Sequence, residues 1–205
     1  MQTSPAPAPT QVIQPSILYY GTPVALISSL NQDGTSNLAP MSSSWALGET
    51  VVLGLGSAGH TAGNLIRHAE CVINLPGPHQ WHHVERLAPL TGSNPVPPHK
   101  AAQFRFEPDK FAAAGLTPLD SDLVAPARVA ECPLQLEARI IDNRPAAAGS
   151  FHIFEAAVVQ VHAHPDVVVA GTNHIDTDNW SPLIYNYRHY FGLGNRLGRT
   201  FRAQT

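Results

Sequence analysis

The sequence predicts a mainly β protein, a closed or nearly closed antiparallel barrel with few, short helices. Three observations lead there. Short runs of strand-forming residues recur between turn signals. The 205 residues include 19 prolines and 15 glycines, which implies many turns and argues against a helical bundle. Strand-like and helix-like segments do not alternate regularly, which disfavours a doubly wound parallel sheet and leaves a barrel as the economical solution.

The elements follow in order. Met1 to Pro15 is a Pro, Ala, Thr, Ser and Gln stretch that buries little apolar area and reads as a disordered or extended arm. Residues 16–205 then form the expected domain with a C-terminal extension. Val24 to Leu30 is a strand, Asn31-Gln32-Asp33-Gly34 a turn, and Thr35 to Ala39 the hairpin partner. Val51 to Gly56 is a second buried run, whose glycines suggest a bulge or a close approach. Thr61 to His68 reads as a short helix that Thr61 can cap. Cys71 to Leu75 is the next strand, stopped by Pro76-Gly77-Pro78. Gln80 to Leu90 reads as a helix, Leu90 to Pro98 as loop, and Lys110 to Ala114 as a short helix closed by Gly115. Further strands are expected at Leu134–Asp142, Ser150–Ala163 and Val167–Val169. In the first of these, Leu134, Leu136, Ala138 and Ile140 share one face, while Gln135, Glu137 and Arg139 share a face expected to be wet.

Composition narrows the function. Charged residues are 13% of the chain, against about 25% in ordinary domains. Either other polar residues cover the surface, or part of it is buried against a second copy, and a homodimer is expected. A formal charge of −3 gives no basic field for nucleic acid. No apolar run reaches the length of a membrane span, and no secretory signal is expected. Cys71 and Cys132 lack paired spacing and read as buried thiols of a reducing, cytoplasmic compartment, although a disulfide stays open.

Two segments can carry chemistry. The first is Asn37-Leu38-Ala39-Pro40-Met41-Ser42-Ser43-Ser44-Trp45. Pro40 marks a strand end or edge. Small residues and hydroxyls let a flat heterocycle approach the main chain, or they simply form a serine-rich loop. The second is Ser57-Ala58-Gly59-His60-Thr61-Ala62-Gly63-Asn64 at the start of a helix. Its free N–H groups suit an anion, and Thr61, Asn64 and His60 add donors, or it is an ordinary helix start. One short strand joins the two segments, so a planar ring and a phosphate could share one crevice. A mononucleotide has that shape.

On these residues the chain resembles the flavin reductase-like, FMN-binding split-barrel family. The resemblance is carried by Gly21 to Ser28, Gly34 to Trp45, Gly59-His60-Thr61-x-x-Asn64-Leu65 and Val72-Ile73-Asn74-Leu75. Later pieces are Asp109 to Thr117, Glu131 to Glu137 and Tyr190 to Gly194. It implies a homodimer built on a six-stranded antiparallel Greek-key split barrel, with FMN near the subunit interface. It implies that Ala39, Pro40, Met41, Ser42, Ser43 and Trp45 line the flavin ring, that His60, Thr61 and Asn64 hold the phosphate, and that Asn74 borders the flavin. Tyr190 matches a C-terminal aromatic. The implied activity is hydride transfer from NADH or NADPH to FMN, with the flavin doing the hard chemistry. A flavoprotein oxygenase on an unknown small substrate, a non-catalytic FMN electron carrier, and service to a partner oxygenase are the alternatives. The chain departs from the family at Gly149-Ser150-Phe151, where a Gly-Asp-His is usual and His152 comes one step late.

Other patterns carry less. His79, His82 and His83, and likewise His162 and His164, lack the partners of a tetrahedral metal site, and no metal is expected. Gly192-x-Gly194-x-x-x-Gly198 does not follow a strand of a βαβ unit and is not a dinucleotide fingerprint. Trp180, Tyr185, Tyr187, Tyr190 and Phe191 form an aromatic cluster of core, dimer or flavin contacts. Arg196, Arg199 and Arg202 read as a solvated basic tail.

Overall fold

The architecture comes from a computed structural model that describes residues 8–200. The N-terminal half of the expected arm and Arg202 lie outside the described residues; residues 8–15 are exposed and form no helix or strand. The elements in chain order are β1 (Tyr20–Pro23), β2 (Ala25–Leu30), β3 (Ser36–Met41), β4 (Ser44–Leu47), β5 (Thr50–Gly56), α1 (His60–Arg67), β6 (Glu70–Leu75), α2 (Trp81–Leu87), β7 (Leu90–Thr91), β8 (Arg105–Phe106), α3 (Lys110–Ala114), β9 (Pro118–Leu119), β10 (Arg128–Val129), β11 (Leu134–Pro145), β12 (Phe151–Ala163), β13 (Ile184–Asn186) and β14 (His189–Phe191).

Seven strands make one antiparallel sheet in the order β3-β2-β6-β11-β12-β5-β4. Its two edge strands, β3 and β4, are neighbours in the chain, separated by Ser42 and Ser43. Three Cα steps hold Met41 and Ser44 no more than roughly 11 Å apart. The sheet must therefore roll until its edges meet, and the seam of this split barrel is the serine pair. Ser43 O accepts from Gly54 N–H at 2.8 Å and fixes the bend. The largest sheet thus has seven strands where the resemblance implies six, because the serine segment resumes as β4. Sequence reading places a loop there.

Each face of the rolled sheet builds a core, because successive strand residues point to opposite sides. Ala25 and Ile27 join Leu53, Ile73, Ala138 and Phe154, with Ala62 and Leu65 of α1. Leu26 points the other way, to Leu38, Val84, Leu87, Phe111 and Leu183, under α2 and α3. Burying side chains of this size stabilises by about 1.5–3 kcal/mol each.

Three local expectations change. Gln135 and Glu137 are buried rather than wet, because residues 120–128 cover that face of β11. Glu137 accepts from Asp122 N–H at 2.8 Å and Leu123 N–H at 2.6 Å, and Gln135 Oε1 accepts from Arg128 at 3.0 Å. Val167–Val169 is no strand: Pro165 opens a 3-10 turn through Val167, and only Val168 bridges to Ile175. The expected helix at Gln80–Leu90 begins as α2 at Trp81 and ends at Leu87; Ala88 keeps helical angles and donates to Val84 O, but Pro89 has no N–H to carry the ladder further.

Cys71 and Cys132 are free and buried. Burial pushes the Cys71 thiol up to about 12, so it stays protonated and inert. His83 bonds Ala114 O at 2.7 Å, His162 bonds Glu137 at 2.7 Å and His164 bonds Ala130 O at 2.9 Å, so these histidines tie segments together.

Candidate functional site

The seam of the barrel opens into a cavity of about 660 Å³. Ala39, Pro40, Met41, Ser42 and Ser43 form one wall. Pro40 fits this place because β3 is an edge strand, where a missing N–H breaks no ladder. An edge strand also leaves backbone N–H and C=O groups free on its outer side. Tyr19 stands over the wall, its hydroxyl 2.7 Å from Ser43 Oγ.

His60 and Thr61 form a second wall at the start of α1. The helix begins at His60, with Gly59 as N-cap and no side-chain cap. Thr61 is therefore not the cap that the sequence suggests. Gly59 is required by a close approach: a Cβ there would stand 2.8 Å from Gly56 O. The N–H groups of His60, Thr61 and Ala62 precede Gly63 N–H, which donates to Gly59 O at 3.1 Å. They carry the positive end of the helix. Thr61 Oγ1 accepts from Asn37 Nδ2 at 3.2 Å, which leaves the hydroxyl proton to donate elsewhere.

His60 places Nε2 2.8 Å from Asn31 Oδ1. An amide oxygen only accepts, so Nε2 carries the proton and Nδ1 is the remaining site. Burial, then Lys110 and Arg67, lower the His60 pKa, so the ring is neutral at pH 7. The cation at this wall is Lys110, at the start of α3. It is 3% exposed, borders the cavity, and has no hydrogen-bond or ion-pair partner among the described residues. Burial and the nearby Lys100 push its pKa down to about 8. Asp109 fixes α3 by accepting from Ala112 N–H at 3.0 Å.

The third wall is aromatic. Tyr185 and Tyr190 come from the small sheet β1-β13-β14, with ring centres 5.6 Å apart. Tyr190 donates to Glu85 at 3.0 Å. Burial and Glu85 hold its phenol well above the usual range, so it stays protonated. Lys100, Lys110 and Arg188 all border the cavity, and Glu85 is the one carboxylate among the lining residues. Three of the chain's 12 lysines and arginines thus converge on one space.

Of the residues singled out from sequence, Ala39, Pro40, Met41, Ser42, Ser43, His60 and Thr61 meet around this cavity, and Tyr190 joins them. Three others do not border it. Asn64 is buried, donates to Ser29 Oγ at 3.1 Å and Asn31 Oδ1 at 3.0 Å, and accepts from Arg67 at 2.9 Å. Asn74 is buried, donates to Leu26 O at 3.0 Å and Ser28 Oγ at 3.1 Å, and accepts from Val129 N–H at 2.8 Å. Both amides brace β2. Trp45 lies on edge strand β4, 59% exposed, beside a second hollow of about 930 Å³ that shares Tyr19, Ser42, Ser43 and Gly54 with the first. His152 stacks on Phe154 at 5.9 Å and does not border the cavity.

Sequence reading missed Tyr19, Lys100, Lys110 and Arg188. A lysine in the first helical turn opposes the helix dipole, and at Lys110 that mismatch was the one available signal.

The sequence matches the family described as the flavin reductase like domain over residues 17–194. It is 50% identical over 195 residues to the uncharacterized protein YdfE of Bacillus subtilis (strain 168), spanning 94% of both chains. Its fold is similar to that of flavoredoxin of Desulfovibrio vulgaris (Miyazaki F), with a TM-score of 0.78 and 21% identity over 95% of this chain and 98% of that one. It is also similar to nitrilotriacetate monooxygenase component B from Bacillus cereus, with a TM-score of 0.72 and 20% identity over 90% and 89% of the two chains.

Proposed function

This chain belongs to the flavin reductase-like domain family, and from that premise we propose that its cavity holds FMN and that NADH or NADPH reduces it there. The carrying observation is Lys110, a buried ammonium without a hydrogen-bond or ion-pair partner among the described residues, bordering the same cavity as the open start of α1. Burying an unpaired charge is costly, and such a group persists where a ligand supplies the counter-charge.

The residues present fit that cofactor. Lys110, the Thr61 hydroxyl and the first N–H groups of α1 hold the phosphate. His60 orders this wall through Asn31 and offers Nδ1 to a ligand hydroxyl. Ser42, Ser43 and the outer edge of β3 bond the heterocycle's polar edge, while Met41 and Pro40 give it an apolar floor. Tyr190 stays protonated and covers the opposite side with Tyr185. Bound FMN supplies acceptance of a hydride, which is two electrons and one proton, so no acid–base triad is needed from the chain. Asn64 and Asn74 serve by bracing β2 rather than by contact.

A homodimer belongs to the same proposal. Trp45, Leu47, Leu18 and Tyr20 are exposed along the second hollow, which abuts the first at Ser42 and Ser43. Exposed large apolar side chains beside the seam suit a second copy of the chain. Delivery of reduced flavin to a partner oxygenase, and a cytoplasmic setting suited to two free thiols, complete the reading. No helix among the described residues is long and apolar enough to cross a membrane.

The test is an absorption spectrum of the purified protein after FMN addition and gel filtration, followed by anaerobic mixing with NADPH. Co-eluting flavin that bleaches on mixing supports the proposal. Protein that elutes colourless contradicts it.

A further inference from the structure

Resting on the FMN reading above, we propose that Arg188 is a specificity-determining residue for the electron donor, engaging the phosphates of a nicotinamide dinucleotide where the cavity meets the surface. β13 and β14 pair with Asn186 opposite His189, so Tyr187 and Arg188 alone form the loop between them. A two-residue hairpin loop with positive φ at both positions favours Asn-Gly. Here Tyr187 has φ 44° and Arg188 φ 70°. Side chains in that region cost on the order of 1–3 kcal/mol each. The turn is held in place by Tyr187 N–H, which donates to Tyr19 O at 2.8 Å. A strained tip of this kind fixes the direction of what it carries.

What it carries is Arg188. The residue is exposed and borders both the cavity and a shallower depression formed with Pro78, Trp81 and Phe191. That places it at the mouth. Its guanidinium has no hydrogen-bond or ion-pair partner among the described residues. Lys110 reaches the same space from α3, on the side of His60 and Thr61. FMN carries one phosphate, which Lys110 and α1 accommodate. Lys100 lies over the Phe104 ring, 5.7 Å from its centre, which leaves Arg188 as the cation for a second anion, and the donor brings one. Every nicotinamide dinucleotide has a pyrophosphate, and NADPH has a 2′-phosphate as well. A guanidinium grips either in two parallel hydrogen bonds.

The test compares FMN-loaded wild type with R188Q and R188K. Calorimetry gives Kd for ADP-ribose and for 2′-phospho-ADP-ribose, which bind without reacting. Fluorescence gives Kd for FMN. Steady-state kinetics gives KM for NADH, NADPH and the phosphate-free donor N-benzyl-1,4-dihydronicotinamide. In R188Q the 2′-phospho-ADP-ribose Kd is expected to rise about tenfold, as does the ratio of KM for NADPH to KM for the phosphate-free donor. R188K recovers part of the loss. Loss confined to the 2′-phosphorylated ligands identifies the 2′-phosphate as the contact, and equal loss identifies the pyrophosphate; both support the proposal. Equal KM losses for all three donors, or a tenfold loss of FMN affinity with donor affinities unmoved, overturn it. Wild type that takes up no FMN overturns the cofactor reading and this inference together.

Discussion

Asn37 donates its amide hydrogen to Thr61 Oγ1 at 3.2 Å, joining edge strand β3 to the first turn of α1. A hydroxyl that accepts in this way has its own proton left to give, and Thr61 lines the cavity. Strand and helix thus share one polar contact at a residue that borders the cavity and keeps a donor to spare. Replacing Thr61 with Val keeps the shape and removes both functions. The expected outcome is a loss of roughly 1 kcal/mol in stability and about a tenfold loss in FMN affinity, read by chemical denaturation and fluorescence titration.

Lys110 gives a pH signature. The unfolded chain holds this proton to its ordinary 10.5, whereas the folded protein releases it near 8. The unfolded state therefore binds more protons between those values, and the stability of the FMN-free protein rises with pH across that window. FMN affinity moves the other way, because only the ammonium pairs with phosphate. Between pH 7 and pH 9 the affinity is expected to fall about tenfold. In K110M the affinity is low and flat over the same range.

Gly92 tests the packing behind His60. A Cβ at that position would stand 2.5 Å from His60 Cδ2 and 3.0 Å from Asn37 Oδ1. Gly92→Ala must push both residues from their places, at a cost of roughly 1–3 kcal/mol. The expected result is a lowered Tm and weakened FMN binding. Retention of both would show that the loop yields freely.

Asn74 separates bracing from contact. Its amide satisfies Leu26 O, Ser28 Oγ and Val129 N–H inside the protein. Asn74→Ala leaves buried backbone groups unpaired and is expected to destabilise by roughly 2–3 kcal/mol. FMN affinity of the protein that remains folded is expected to change little, where a direct ligand would lose it with stability intact.

Glu137 makes the fold acid-sensitive. Burial raises its pKa, but hydrogen bonds from Asp122 N–H, Leu123 N–H and His162 outweigh it and hold the carboxyl below its usual value. Its stabilising contribution is present above the ordinary carboxylate range and is lost as pH falls through the lowered folded-state pKa. Glu137→Gln is expected to flatten the decline of Tm with acid.

Much of this was legible in the residues themselves. The apolar runs at β2, β5, β6, β11 and β12 announce strands, and Asp109 with Gly115 bounds α3. The serine segment and the Gly59-His60-Thr61 start are legible as candidate ligand surfaces because their chemistry is local, and they do border one cavity. β4 was not, since Ser-Trp-Ala-Leu is too short to show alternation and is specified by pairing with β5. Asn64 and Asn74 stand away from the cavity, and the sequence does not show this, for a physical reason. A buried amide looks the same in sequence whether its partners are a ligand or the backbone of a distant strand. Tyr19 and Arg188 arrive through the small sheet β1-β13-β14, whose pairing joins segments more than 160 residues apart. The positive φ of Tyr187 and Arg188 carries no Asn or Gly to betray it.

The most direct test of the central claim is an equilibrium titration of flavin-free protein with FMN and, in parallel, with riboflavin, followed by flavin fluorescence. A cavity whose cationic wall holds the phosphate is expected to bind FMN about tenfold or more tightly than riboflavin, with the difference abolished in K110M. Equal affinity for the two flavins, or none for either, would contradict the account.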